Sequence, residues 1–470
     1  MNKEQPYSRY FVLFIPWLMA TLIQSYAIES YFIAWLGTIL IFILTLSGWV
    51  KPLPNDLPIE QQLLRPIFLV QIIFAGYMSF TSIFYFLSLL GYQNFSHANN
   101  VYFHTSENLF ELAAQCQRYY VLGHAAFVVG ILFFMDYPVR SKYYIKNEKL
   151  TKLLIFNSIV TLGVSLTIGR IPGYTQFFYK FADLSFFSGT LALSFSITAK
   201  KSLNILICLI LYGINFYGAL TSGFKEPIII SVLVLGIFLF PNYKKIVFVI
   251  FTPLLILLFI YLPKYNQVFR QNAWKEGADV EDAYEIALDA TIENNKDDDS
   301  NKWDFLVGRL SEIEMFTKYI SSTPRFVNYY GFRLIKQSVI AIIPREIWHK
   351  KPITENLVME RVYKADVIGR ASAVSAKPAF IVDSYLCAGI FGILFFLFIY
   401  GVLVQKISLK AEYLFGGYYL GTAIIFSGLF QDFWRGLSFE FLFNAIFWSY
   451  ISMLIVFRTL RTINVIKKIH

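Results

Sequence analysis

The sequence predicts an all-α, polytopic membrane protein of about twelve transmembrane helices, with one large external loop between the ninth and the tenth. Two observations carry this. The 470 residues are 56% hydrophobic and only 15% charged, against roughly 25% charged in an ordinary soluble domain. A water-soluble fold cannot hide that much apolar surface, and lipid removes the difficulty. In addition, the Lys and Arg side chains that give the net charge of +10 sit at the ends of apolar runs. They are not gathered into a stripe of the kind that binds nucleic acid, so no nucleic-acid partner is expected.

Runs long and apolar enough to span are 10–27, 31–50, 66–91, 119–136, 153–169, 183–199, 202–220, 226–241, 245–263, 379–405, 411–430 and 439–457. The first reads as an uncleaved helix, because no small-residue cleavage site follows it. The sixth is the weakest, diluted by Ser185, Ser188, Thr190, Ser194, Ser196 and Thr198. Numbering the connecting segments alternately from an inside N-terminus assigns 19 Lys and Arg to inside segments and 5 to the short outside ones. That bias places both termini in the cytoplasm. The chain therefore divides into a membrane domain over 1–263, an extracytoplasmic loop over 264–378 and a second membrane domain over 379–470. Cys116, Cys208 and Cys387 offer neither a metal spacing nor a disulfide framework and read as buried thiols.

The loop has two halves. Residues 264–304 hold 5 basic and 11 acidic residues and read as solvated; residues 305–378 hold 12 basic and 6 acidic and read as structured. In the second half Phe305, Leu306, Leu310, Ile313, Phe316 and Ile320 recur at helical spacing, predicting an amphipathic helix over 303–321. Phe332 to Ile343 is apolar but too short to span, which suits an interfacial or re-entrant helix ended by Pro344. A further amphipathic helix is expected over 354–368.

External positive charge opposes the charge bias and so points to an anionic ligand. The cations singled out are Arg170 and Lys225, each in a Gly- and Pro-flanked turn, with Arg309, Arg325, Arg333, Arg345, Lys350, Lys351, Arg361 and Arg370 in the loop. Arg holds phosphate bidentately; solvated charge paired with the loop's own acids is the plain alternative. Within Pro344-Arg345-Glu346-Ile347-Trp348-His349-Lys350-Lys351-Pro352, Trp348 is suited to stack on a sugar, or equally to anchor at the membrane interface. Candidates for deprotonating a hydroxyl are Asp383, Glu312 and His349, with Glu314, Glu346, Asp366, Asp432 and Glu440 behind them. Asp383, at a span's edge, alternatively pairs with a loop arginine. His124, inside a span, reads as a buried, hydrogen-bonded histidine.

Pro344-Arg345-x-x-Trp348-x-x-Lys351-Pro352 ahead of a late span, and Ser222-Gly223-Phe224-Lys225 after a middle span, resemble the Wzy-type O-antigen and oligosaccharide repeat-unit polymerases. So does the plan of a dozen helices with a large outer loop. The resemblance implies a GT-C-like, metal-independent glycosyltransferase without a cofactor. Its donor would be an undecaprenyl-diphosphate-linked glycan, its acceptor another lipid-linked repeat unit, and its partners the lipid bilayer and a chain-length regulator. The family often has Arg where this chain has Lys225. An O-antigen ligase shares this plan, and a flippase or other transporter of polysaccharide or lipid is the reading from another class.

Overall fold

The structure is a computed structural model that describes residues 7–91, 107–145, 147–168, 175–223, 226–276, 279–292, 307, 312–345, 347–370, 377–418, 421 and 437–469. The protein is an all-α polytopic membrane protein. Among the described residues nine helices are long and apolar enough to cross a membrane, and Ser8–Leu22 adds a shorter apolar one.

The chain enters through α1 (Ser8–Val12), α2 (Ile15–Leu22) and α3 (Ala27–Leu46). Pro66–Leu89 is one apolar run made of α4 (Pro66–Val70), a π-helical stretch (Gln71–Phe80) and α5 (Ser82–Leu89). Then come α6 (Glu107–Phe134), α7 (Asn147–Ile168), α8 (Thr175–Thr198) and α9 (Ser202–Leu220). α6 begins a dozen residues before the predicted span. The serines that made the sixth run look weak are turned into the bundle, where Asn157 Nδ2 and Asn215 Nδ2 donate to Ser188 Oγ and Ser185 Oγ at 3.1 Å each. In lipid a hydroxyl facing a neighbouring helix has a partner, and one facing acyl chains has none.

Two long helices are folded back on themselves. α10 runs Glu226–Arg270 through a non-helical Tyr243. A straight helix would separate residues 236 and 251 by about 22 Å, yet the Phe251 ring lies 3.1 Å from where a Cβ on Gly236 would sit. Farther from the bend, Tyr265 Oη donates to Leu220 O and Arg270 Nε to Gly223 O. Tyr243 is thus the tip of a hairpin, and its two arms match the eighth and ninth predicted spans, the second running past residue 263. The next helix, α11 (Val280–Ile292), packs Ala283 and Ala287 onto this hairpin.

α15 (Phe380–Phe415) contains non-helical Ala388 and Gly389, the latter at φ +60°. Residues 380 and 400 would be about 30 Å apart along a straight helix; their rings are 5.3 Å apart, and Gly392 abuts Ser384 O. The first two turns therefore lie back against the rest. The expected break at 406–410 is absent: the helix continues to Phe415 and stops at Gly416 in the left-handed region. Lys406 and Lys410 do not end it, because each ammonium lies over a ring, Phe134 at 4.3 Å and Tyr413 at 5.5 Å. The predicted eleventh span falls mostly outside the described residues. α16 (Phe439–Thr462) closes the membrane part.

α6 is the axis. Gly130 abuts Phe398 O and Gly401 abuts Phe127 O, so a methyl group at either would strike the other helix's backbone. This reciprocal contact locks α6 to α15. One end of the bundle, the far side, gathers chain segments by hydrogen bonds. Arg9 donates to Trp49 O, Lys51 to Leu132 O, Tyr243 to Ile197 O, and Lys244 pairs with Glu60. A two-stranded sheet joins Tyr143–Tyr144 (β1) to Lys467–Lys468 (β2). These are the segments that the charge count grouped together.

The loop helices α12 (Ile313–Ser322), α13 (Phe332–Ile342) and α14 (Thr354–Lys364) cover the opposite end, the loop side. α12 buries Ile313, Phe316 and Ile320, with Phe316 against Tyr119 and Tyr120 of α6 at 6.0 and 5.7 Å. Phe305, Leu306 and Leu310 of the predicted stripe lie outside the described residues. α13 packs along α16, where Trp448 Nε1 donates to Ile342 O at 3.0 Å.

Candidate functional site

The loop side is held by one guanidinium. Arg361, on the buried face of α14, is fully buried between two carboxylates that membrane helices supply. Its Nε and Nη2 donate to Asp383 Oδ1 and Oδ2 at 3.0 and 2.9 Å, and its Nη1 and Nη2 donate to Glu440 Oε1 and Oε2 at 2.7 Å each. Burial alone would lower the arginine's pKa. The adjacent Asp383 charge and the Glu440 hydrogen bond outweigh it and raise the pKa, so the cation is permanent. Asp383 Oδ2 also accepts the Phe439 N–H at 2.8 Å, which starts α16. Three elements distant in sequence meet here, and each donor finds an acceptor.

This arrangement places Asp383. Both its oxygens are committed to Arg361 and one also to a helix N-terminus. It is a buried ion-pair partner whose pairing arginine comes from the loop.

Around that plug lies an exposed charged group. On α14 next to Arg361 is Glu360, held below the usual carboxylate range first by its hydrogen bond from Lys364 and also by the charges of Arg333 and Arg370. The Arg370 guanidinium lies over the Tyr363 ring at 5.3 Å. Arg333 and Arg370, thirty-seven residues apart, are therefore brought to one patch with Lys364, with Tyr330 beside them. Tyr330 and Gly331 donate their N–H groups to Leu386 O and Cys387 O at the break of α15. That anchors the start of α13, and hence Arg333, to a membrane helix.

Glu312, just before α12, is different in kind. Its Oε2 is buried and has no hydrogen-bond partner. Burial pushes the carboxyl up to about 8, as desolvation disfavours the charged form. It lies within electrostatic range of Tyr120 and Tyr319. At neutral pH it carries a proton, which it releases as pH rises through about 8.

The 344–352 segment sits elsewhere, past the end of α13 beside α16. Arg345, Trp348, His349 and Lys350 are exposed. Lys351 Nζ donates to Ala341 O and Ile343 O at 2.8 Å each, so it caps the carbonyl end of α13. The structure thus brings Arg333 and Arg370 within electrostatic range of one carboxylate, Glu360, and no such link ties them to Arg345, Trp348, His349 or Lys351 among the described residues. Arg170, Lys225, Arg309, Glu346 and Asp432 lie outside the described residues. Among the described residues no group of three His, Cys, Asp or Glu side chains is placed to hold a metal ion.

Sequence reasoning named Arg361 among the loop cations, and Asp383 and Glu440 among the carboxylates. It missed that one arginine takes both. No periodic signal links residues separated by 22 and 79 positions; the only sign was an ionisable residue at the start of each of two apolar runs. Tyr120 and Tyr319 were missed because a buried tyrosine looks like any other aromatic in a chain that is 19% aromatic.

No curated protein and no solved structure matches the chain. A family described as a domain of unknown function, DUF8712, matches residues 15–468. That is almost the whole length, and the chain belongs to this family.

Proposed function

We propose that the protein is a twelve-span, GT-C-like glycosyltransferase that polymerises lipid-diphosphate-linked oligosaccharide repeat units on the outer face of a bacterial inner membrane, with both termini cytoplasmic. One observation carries the reading: Arg333 on α13 and Arg370 past the end of α14 are both exposed and within electrostatic range of Glu360, on a loop that a buried ion pair clamps to the membrane helices. Guanidinia held at a bilayer surface suit a lipid-borne diphosphate, which they bind as donor and stabilise as the leaving group while its negative charge develops.

Of the three candidate bases, Glu312 fits the role best. It has a free oxygen and a proton affinity close to working pH, which is where a general base is most effective. It would accept the proton of the acceptor hydroxyl as that oxygen attacks the anomeric carbon and the lipid diphosphate departs. His349 is exposed, and Asp383 has no oxygen to spare.

The test is chain elongation by membranes carrying the Arg333→Ala, Arg370→Ala double variant. Elongation is expected to fall at least about 100-fold, the scale of removing charge stabilisation from a transition state, while the protein still inserts and folds. Normal polymer length in a well-inserted double variant overturns the reading.

A further inference from the structure

The π-helical stretch and α6 face each other along a polar seam. At one level Gln71 Oε1 is hydrogen-bonded to His124 Nε2 at 3.0 Å; at another Ser79 and Ser82 are hydrogen-bonded to Gln117. The two elements therefore run antiparallel, with Tyr120 one turn from His124 toward the loop; Phe316, whose ring packs on Tyr120 at 5.7 Å, lies one turn after Glu312. Farther toward the loop the seam is closed. Gln117 Nε2 donates to Ser79 Oγ at 3.1 Å and Gln117 Oε1 accepts from Ser82 Oγ at 2.8 Å, while Tyr31 Oη meets Ser82 Oγ and Thr38 Oγ1 meets Ser79 Oγ, both at 2.7 Å.

The other part of the same seam is open. Gln71 Nε2, His124 Nδ1, Tyr120 Oη and Glu312 Oε2 are all buried, and none has a hydrogen-bond partner. Each of these four atoms, left unpaired, costs the full desolvation of its group, so a partner for them is worth seeking. Their residues are bulky and differ in kind, yet all are able to bond to a small molecule that both donates and accepts. A π-helical stretch, which recurs at functional sites, forms one wall.

We propose that Gln71, His124, Tyr120 and Glu312 line an internal site that binds a short file of water molecules, connecting the middle of the membrane domain to Glu312 on the loop side. Water satisfies both acceptors and donors, and a buried water typically makes about three bonds to such groups. The file gives the Glu312 proton a hydrogen-bonded path away from the carboxyl. It holds whether or not the protein is a glycosyltransferase.

The seam supplies its own control. Tyr31 and Tyr120 are both completely buried, but Tyr31 Oη is hydrogen-bonded to protein and Tyr120 Oη is not. Brief X-ray irradiation of the intact protein in bilayers generates hydroxyl radicals from any water in place, and mass spectrometry reads the oxidised side chains. Oxidation of Tyr120 is expected to exceed that of Tyr31 several-fold; equal, low oxidation of both overturns the proposal. Thermal unfolding of Tyr120→Phe gives a second answer. If the hydroxyl binds water, its loss lowers Tm; if the site is dry, removing an unpaired buried hydroxyl raises Tm, and the proposal fails.

Discussion

Two arginines, each held by two carboxylates, pair with residues near the two sequence termini of α15, Arg361 with Asp383 and Arg65 with Glu412, and they are built differently. On the far side Arg65 donates to Asp56 at 2.7 Å, to Glu412 at 2.9 and 3.0 Å and to Gln62 at 2.8 Å. The Tyr137 ring covers it at 3.9 Å. Most of that cage is local in sequence, and Asp56 keeps 21% of its side chain exposed. On the loop side Arg361, Asp383 and Glu440 are 1% exposed or less and come from three separate elements. The first centre fastens a connecting segment and leaves it in reach of water. The second seals the loop helices into the membrane domain with no water to compensate a missing partner.

The sharpest way to break the comparison is to delete each guanidinium. Arg361→Ala leaves two buried carboxylates facing each other and is expected to cost about 3–5 kcal/mol, seen as loss of monodisperse protein in detergent. Arg65→Ala strands a carboxylate pair that is partly wetted, and is expected to cost about half that. Equal losses of Tm in the two variants would remove the distinction.

A pH series sharpens it further. Asp56 is held below the usual carboxylate range first by hydrogen bonds from Arg65. Its stabilisation is present above the unfolded-state pKa and is lost as pH falls through the folded one. Glu312 has the opposite sign. Its folded-state pKa of about 8 lies above the unfolded value, so the folded chain binds a proton that the unfolded chain releases, and stability falls as pH rises toward 8. Glu312→Gln is therefore expected to raise Tm at pH 9 and leave it unchanged at pH 4. Under the proposed function, elongation by the native protein rises through the same range, because the base must first lose its proton.

The smallest effect belongs to the exposed pair Lys364–Glu360, four residues apart on α14. Lys364→Ala is expected to cost less than about 0.5 kcal/mol. A larger loss would mean that the patch around Glu360 holds the loop together rather than facing solvent.

The membrane architecture was largely legible because lipid imposes a local rule. Every span must be long, apolar and flanked by charge, and Lys51, Lys142, Lys201, Lys244 and Lys467 each mark such a flank. The amphipathic stretches that became α12, α13 and α14 were legible for the same reason: a helix face is a pattern within a dozen residues. The break in α15 was misplaced because cations at 406 and 410 resemble a helix end, whereas a glycine at positive φ inside an apolar run gives no signal.

By itself, then, the sequence determined that the chain is an all-α polytopic membrane protein, where most of its long apolar helices run, and that short amphipathic helices precede the last of them. Only the tertiary structure decided that Arg361 takes both Asp383 and Glu440, that Arg333 and Arg370 both come within electrostatic range of Glu360, that Lys351 caps a helix, and that Glu312 is left with a free oxygen. The reason is physical. Crossing a bilayer depends on the properties of one segment, while an ion pair or an unpaired carboxyl depends on which distant segments are packed against each other.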